Sequence, residues 1–244
     1  MFFPLMFPVG FGKIIVIHIL AAVIPAIFLL RYIYKYDTVE KEPPQLLGAL
    51  CLYGVAAALC SIVLEGIGSR ILEVSLAQDS PYYTVVFAFA VVAAVEEGTK
   101  LFFLKRRTWR DWNFSHLFDG VVYSAFVSLG FAMFENIKYV FSYGISVALP
   151  RALTAIPAHL AFSVFMGVFY GKAKLCENRG NKPGKWIYLI LGYLTAVLLH
   201  GFYDACAMLG TSQAMAVFYT FVIVMYIVVY RIIKSASRHD RPLY

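Results

Sequence analysis

Six ionisable side chains stand in stretches that are otherwise apolar: Glu96, Glu97, Glu135, His159, His200 and Asp204. Glu96 and Glu97 are adjacent in VVAAVEEGTKLFFL, and Lys100 follows them. In a helix Glu96 and Lys100 share a face, while the two carboxylates point about 100° apart. One carboxylate then faces an interior and its neighbour braces a second helix. Such a pair suits general-base work on water; the competing reading is a buried glutamate–lysine bridge that only fixes packing. Glu135 lies in GFAMFENIKYV, with Asn136 beside it, Lys138 near it and Tyr139 one turn further on. The competing reading pairs Glu135 with Lys138 at the membrane interface. His159 follows Pro157 in TAIPAHLAFSVFMG, and alone it reads as a hydrogen-bonded core residue. His200 and Asp204, in LLHGFYDACA, are spaced one turn apart with Gly201 leaving room beside them. That spacing lets an aspartate orient an imidazole, or lets both hold one metal ion.

The elements that must position these groups follow from composition. Of 244 residues, 61% are hydrophobic and 14% charged, against about 25% charged in a soluble domain. That excludes a disordered chain, a collagen-like chain and an ordinary cytosolic enzyme. The expected fold is an all-α, polytopic membrane helix bundle forming a single domain over residues 1–244. Seven stretches are long enough to span, about 13–34, 45–65, 82–104, 118–141, 150–172, 186–209 and 213–233. The first reads as a span rather than a cleaved signal peptide, being too long and followed by Arg31 and Lys35. Residues 66–80 suit a short amphipathic surface helix or an ordered loop. Pro43-Pro44, Pro81 and Pro150 stand where helices begin, with Ser80 as an N-cap, and Pro157 should bend the fifth span and free a carbonyl.

The basic residues sort by side. Sixteen Lys and Arg fall in the connections after spans one, three and five and in the tail, against three (Lys13, Arg70 and Arg151) on the other side. The bias predicts an outside N-terminus and a cytoplasmic C-terminus, with 234–244 a short basic tail. The net charge of +7 is this bias, and no nucleic-acid partner is expected. Cys51, Cys60, Cys176 and Cys206 lack CxxC spacing and read as small hydrophobes. His18, His116 and His239 lie near span ends or in basic segments. Charge inside a membrane is costly and marks function by default. Spans two and seven carry none at mid-depth, so the site is expected between spans three and six.

EEGTK (96–100), FENIKY (134–139), His159 in the next span and HGFYD (200–204) follow one another in order. The chain thereby resembles the PrsW family of intramembrane proteases, which is related to the CAAX prenyl endopeptidases. DTVEKEPPQLL (37–47) looks like that family's loop before the second span. The resemblance covers roughly residues 31–209 and implies a multi-pass protease of the bacterial cytoplasmic membrane. Its implied partner is a membrane-anchored anti-sigma factor, cut on its outer side to release a sigma factor. The related prenyl endopeptidases are viewed as glutamate-dependent, whereas the PrsW family is classed with the metallopeptidases.

Two mechanisms fit the residues. In one, Glu96 or Glu97 is the general base and His159, His200 and Asn136 stabilise the oxyanion, without metal. In the other, His159, His200 and Glu135 or Asp204 hold Zn²⁺, and a glutamate of the pair is the base. Lys100, Asn136, Lys138 and Tyr139 are auxiliary in both. A seven-span lipid-amide hydrolase of the ceramidase type and a proton-coupled transporter are the alternatives. The first wants three histidines, and the second commonly shows repeated halves, which are not apparent here.

Overall fold

Apolar chain in lipid must satisfy its own backbone, and helices do this within one segment. The computed structural model describes the backbone of residues 9–244 and the side chains from Gly12 onward. The order is α1 (Val9–Tyr36), α2 (Pro44–Ser75), α3 (Tyr83–Val86), a π-helical segment (Phe87–Ala93), α4 (Ala94–Thr108), α5 (Asp119–Tyr143), a 3₁₀ turn (Ile145–Val147), α6 (Ala148–Leu153), α7 (Ala155–Asn178), α8 (Lys182–Leu209) and α9 (Ser212–Arg238). Among the described residues there is no strand, only an isolated bridge between His116 and Pro242. The seven expected spans appear as seven rods, the third running from α3 through the π segment into α4 and the fifth from α6 into α7. Six of the rods are long and apolar enough to cross a membrane. The third is not among them, because it contains the π segment, Glu96, Glu97 and Lys100 and ends in Lys105, Arg106 and Arg107.

α5 is the centre. Every residue from Asp119 through Ala132 is buried, as in a helix that is apolar all round. Two close crossings hold it. A methyl on Gly130 would lie 2.3 Å from the Cys51 carbonyl oxygen of α2, and one on Gly54 would lie 2.0 Å from that of Val127. Nearer the start of α5, Gly120 meets Gly167 and Gly171 of α7 at 2.6–3.0 Å by the same measure. Small residues at such crossings let backbones approach where lipid supplies no hydrophobic drive.

Three local features differ from the pattern read in the sequence. α2 does not end near residue 65 but continues to Ser75, so residues 66–75 extend a span and form no separate surface helix. The chain breaks at Thr154 (φ −119°, ψ −65°), and Pro157 lies in the first turn of α7 rather than bending its middle. The carbonyl without a Pro157 N–H partner is that of Leu153, and Tyr226 of α9 donates to it at 3.1 Å and to Thr154 O at 2.7 Å. Finally, α9 extends to Arg238, and the last residues fold back: Phe118 N donates to Asp240 Oδ1, Leu117 N to Arg241 O, and Leu243 N to Ser115 O. Leu243 is buried. The tail thus clasps the connection that leads into α5. The four cysteines are unpaired, with Cys206 buried and Cys60 exposed.

Candidate active site

The π segment ends at Ala93, with two residues between it and the glutamate pair. π turns are uncommon and concentrate at functional sites. This one packs Phe89 against α8 where Gly201 has no side chain; a methyl there would stand 2.4 Å from the ring. Gly201 therefore accommodates the π segment rather than leaving open room beside His200. Thr99 anchors the start of α4 to α2 through Ser61 Oγ at 2.7 Å, and Tyr193 of α8 donates to Ala94 O at 3.0 Å. The rod is thus held on both sides at the level of the glutamates.

Glu96 and Glu97 divide as the 100° offset requires. Glu96 lines a cavity of about 460 Å³ enclosed by α2, the π segment, α4, α5, α6, α7, α8 and α9. Glu97 is not in its wall and is fully buried. Its Oε1 accepts from Lys100 Nζ at 2.8 Å and lies 2.9 Å from His200 Nδ1. Lys100, 2% exposed, is the hub. Its Nζ also donates to Glu96 Oε2 at 3.1 Å, lies 3.1 Å from His159 Nδ1 and stands 4.0 Å over the Phe131 ring.

His159 turns Nδ1 to Lys100 and His200 turns Nδ1 to Glu97, and each turns Nε2 towards a further carboxylate. His159 Nε2 is 3.0 Å from Glu135 Oε2, and His200 Nε2 is 3.2 Å from Asp204 Oδ2. Phe162 stacks on the His200 ring at 4.8 Å, and the two imidazoles stand edge to face at 5.3 Å. A carboxylate behind an imidazole fixes its orientation and tautomer. All six residues singled out by their chemistry therefore join one network. Lys138 and Tyr139 line the cavity beside it.

Asn136 does not face the cavity. Its Nδ2 donates to Ala22 O of α1 at 2.9 Å, and its Oδ1 accepts from Arg151 Nε at 2.8 Å. The amide is buried, braces α1 and α6, and is not in the cavity wall where an oxyanion would form. The ion-pair partner of Glu135 is Arg151, at 2.7 Å, not Lys138. Arg151 on α6 also stacks 3.7 Å over Tyr139. Sequence reasoning counted Arg151 only among outer-side charges and stopped the second span at Glu65. Glu65 in fact lies inside α2 and lines the cavity, and Met215 and Phe218 of α9 line it as well. The site is therefore not confined to the third to sixth rods.

Glu96, Glu97, His159 and His200 each offer a donor atom within 4.8 Å of the others, a group that can hold a metal ion. The donor types suit zinc, and Glu135 and Asp204 stand behind the histidines as supporting carboxylates do. Glu97 Oε2 is buried without a hydrogen-bond partner, so one ligand oxygen is left over. The residues fit a cation. They differ from the set expected from sequence, in which Glu135 or Asp204 was the ligand.

The comparisons with known proteins agree with the motifs. Residues 42–232 match the family described as PrsW family intramembrane metalloprotease, a stretch that reaches into α9 beyond the motif-bearing rods. The chain is 32% identical over 222 residues to Protease PrsW of Geobacillus kaustophilus, covering 91% of this chain and 93% of that one. It is 29% identical over 230 residues to Protease PrsW of Clostridioides difficile, covering 92% and 93%. With Protease PrsW of Bacillus subtilis it shares 32% identity over 184 residues, 75% of this chain and 79% of the relative. No solved structure matches. A multi-pass helical chain with this ordered set of membrane-embedded carboxylates and imidazoles, matched along most of its length, belongs to the PrsW family of intramembrane proteases and is a peptidase.

Proposed function

We propose that the chain hydrolyses a peptide bond of a membrane-anchored protein at the cavity wall formed by Glu96, His159, His200, Glu135 and Asp204. The observation that carries this reading is the division of the glutamate pair: one carboxylate faces the cavity and the other is buried behind it. Glu96 is the general base. It takes a proton from water, the oxygen attacks the scissile carbonyl carbon, the C–N bond breaks, and the proton passes to the leaving amine. Glu97 is a positioning residue that holds Lys100 and His200. His200, His159 and the Arg151 guanidinium supply positive or donor character near the developing oxyanion. A bound metal ion would be held by His159, His200 and Glu97 with Glu96 at the rim. It would supply a more acidic water and a polarised carbonyl.

The cavity is lined by the later parts of α5 and α8 and the first two turns of α9, away from the basic C-terminal ends of α4 and α9. Glu135 lies eight residues before the end of α5 and Asp204 five before the end of α8, about 12 Å and 8 Å along the axes. Taken with cytoplasmic basic connections, these depths support a cut in the outer half of a bacterial cytoplasmic membrane. A membrane-anchored anti-sigma factor cut on its outer side fits this depth. The test co-expresses the chain with a tagged candidate anti-sigma factor from its own genome, beside Glu96→Gln, Glu97→Gln and His200→Ala at matched expression. Cleavage by the wild type alone is expected. Equal cleavage by all four chains would assign the cut to another protease.

A further inference from the structure

We infer that Lys100 is the built-in occupant of the metal site, so that a divalent cation enters only when the ammonium leaves. Lys100 Nζ lies 2.8–3.1 Å from Glu97 Oε1, Glu96 Oε2 and His159 Nδ1. Those side chains are three of the four that can hold a metal ion, and the fourth, His200, meets the same Glu97 oxygen at 2.9 Å. The ammonium thus stands where lines from these donors converge. A zinc ion bonds the same donor types at about 2.0–2.2 Å, so it needs almost the same place. A second cation cannot share that space in a site of low dielectric.

The surroundings are built for either occupant. Glu135 and Asp204 hold the outward nitrogens of both imidazoles, so that His159 Nδ1 meets the ammonium and His200 Nδ1 meets the Glu97 oxygen that the ammonium also holds. Phe131 presents its ring face to the ammonium at 4.0 Å, which stabilises a cation but offers a metal no ligand. Gly98 and Thr99, between the glutamates and Lys100, add no side chain that competes for the position: Thr99 bonds to Ser61 and to Glu96 O. The lysine in EEGTK is thereby a specificity-determining residue, setting how strongly the site takes metal.

This inference rests on the same site as the proposed function but is read without proteolysis. Wild type, Lys100→Met, Lys100→Arg and Lys138→Met are purified, stripped with chelator, checked for monodispersity and thermal unfolding, and titrated with Zn²⁺ by calorimetry. Metal retained after gel filtration gives the stoichiometry. Lys100→Met should bind one zinc at least tenfold more tightly than wild type. Lys100→Arg and Lys138→Met should stay within about threefold of wild type, and His159→Ala in the Lys100→Met background should lose the gain. Equal zinc affinity in wild type and Lys100→Met, or no binding by either, overturns the inference. Should Lys100→Met fail to fold, a structure of zinc-loaded wild type decides instead. Lys100 Nζ is then expected beyond hydrogen-bond distance of Glu97, and an unmoved Lys100 beside bound zinc overturns the inference. Cleavage lost in Glu96→Gln while zinc affinities stay equal would leave the protease reading standing and remove only the role of Lys100.

Discussion

Arg151 offers a quantitative test of how the site is held. Its Nη2 donates to Glu135 Oε2 at 2.7 Å and its Nε to Asn136 Oδ1 at 2.8 Å, and its guanidinium covers Tyr139 at 3.7 Å. Both side chains of the ion pair are 16% exposed, so solvent screens the pair little. Removing one partner of such a pair leaves a carboxylate without its counter-charge, at a cost of about 3–5 kcal/mol. Arg151→Met should therefore lower unfolding free energy by about that amount. Glu135→Gln keeps an acceptor for His159 and Arg151 and should cost less, about 1–2 kcal/mol. In the double variant no carboxylate is stranded, and its loss should fall short of the sum of the two single losses by about 2 kcal/mol. The assay is chemical or thermal unfolding of the four proteins in one detergent, followed by tryptophan fluorescence, with the interaction energy taken from the cycle. Strict additivity, or an Arg151→Met loss below about 1 kcal/mol, would refute the claim that Arg151 neutralises Glu135.

Other consequences concern the frame. Tyr226→Phe removes the donor to Leu153 O and Thr154 O and should destabilise by about 1–3 kcal/mol; Pro157→Ala in that background, which restores an N–H, should return part of it by the same unfolding assay. Gly201→Ala places a methyl 2.4 Å from Phe89 and should cost about 1–3 kcal/mol, with Phe89→Ala relieving the overlap. Outside the spans, burial raises the Asp37 carboxyl to about 6 and the Glu42 carboxyl to about 7. The folded chain then holds more protons than the unfolded one between about pH 4 and 7, so stability falls as pH rises through that window and levels off above it. Unfolding midpoints measured from pH 4.5 to 8.5 should show this decline, and Glu42→Gln should flatten it; a midpoint that climbs with pH would contradict the assignment.

Much of the candidate site was legible because membrane chemistry makes ionisable residues conspicuous. Glu96, Glu97, Glu135, His159, His200 and Asp204 announced themselves by standing in apolar runs, and helical geometry alone divided the glutamate pair. Arg151 was missed because it lies in the short α6 at the start of a span, where a charge looks solvated; only the fold brings α6 over α5. Glu65 was missed because a span was expected to stop near the length that crosses a bilayer, whereas α2 runs on to Ser75. The inward side of Asn136 could not be read from spacing, since its neighbour Glu135 faces the cavity and α1, which takes the amide, is far away in sequence. The π segment carries no local signal in FAFAVVA. It packs Phe89 closely against Gly201, a contact between distant parts of the chain that local sequence does not reveal.

Whether Glu96 is the working base is decided by the rate at which purified chain, in proteoliposomes, cuts a single-span substrate whose cleavage by wild type has been established. Glu96→Gln keeps the shape and cannot take a proton, so the cleavage rate should fall by at least about a hundredfold while the protein remains folded and inserted. Glu96→Gln cutting at the wild-type rate would contradict the assignment of the cavity-facing carboxylate and of the chemistry built upon it.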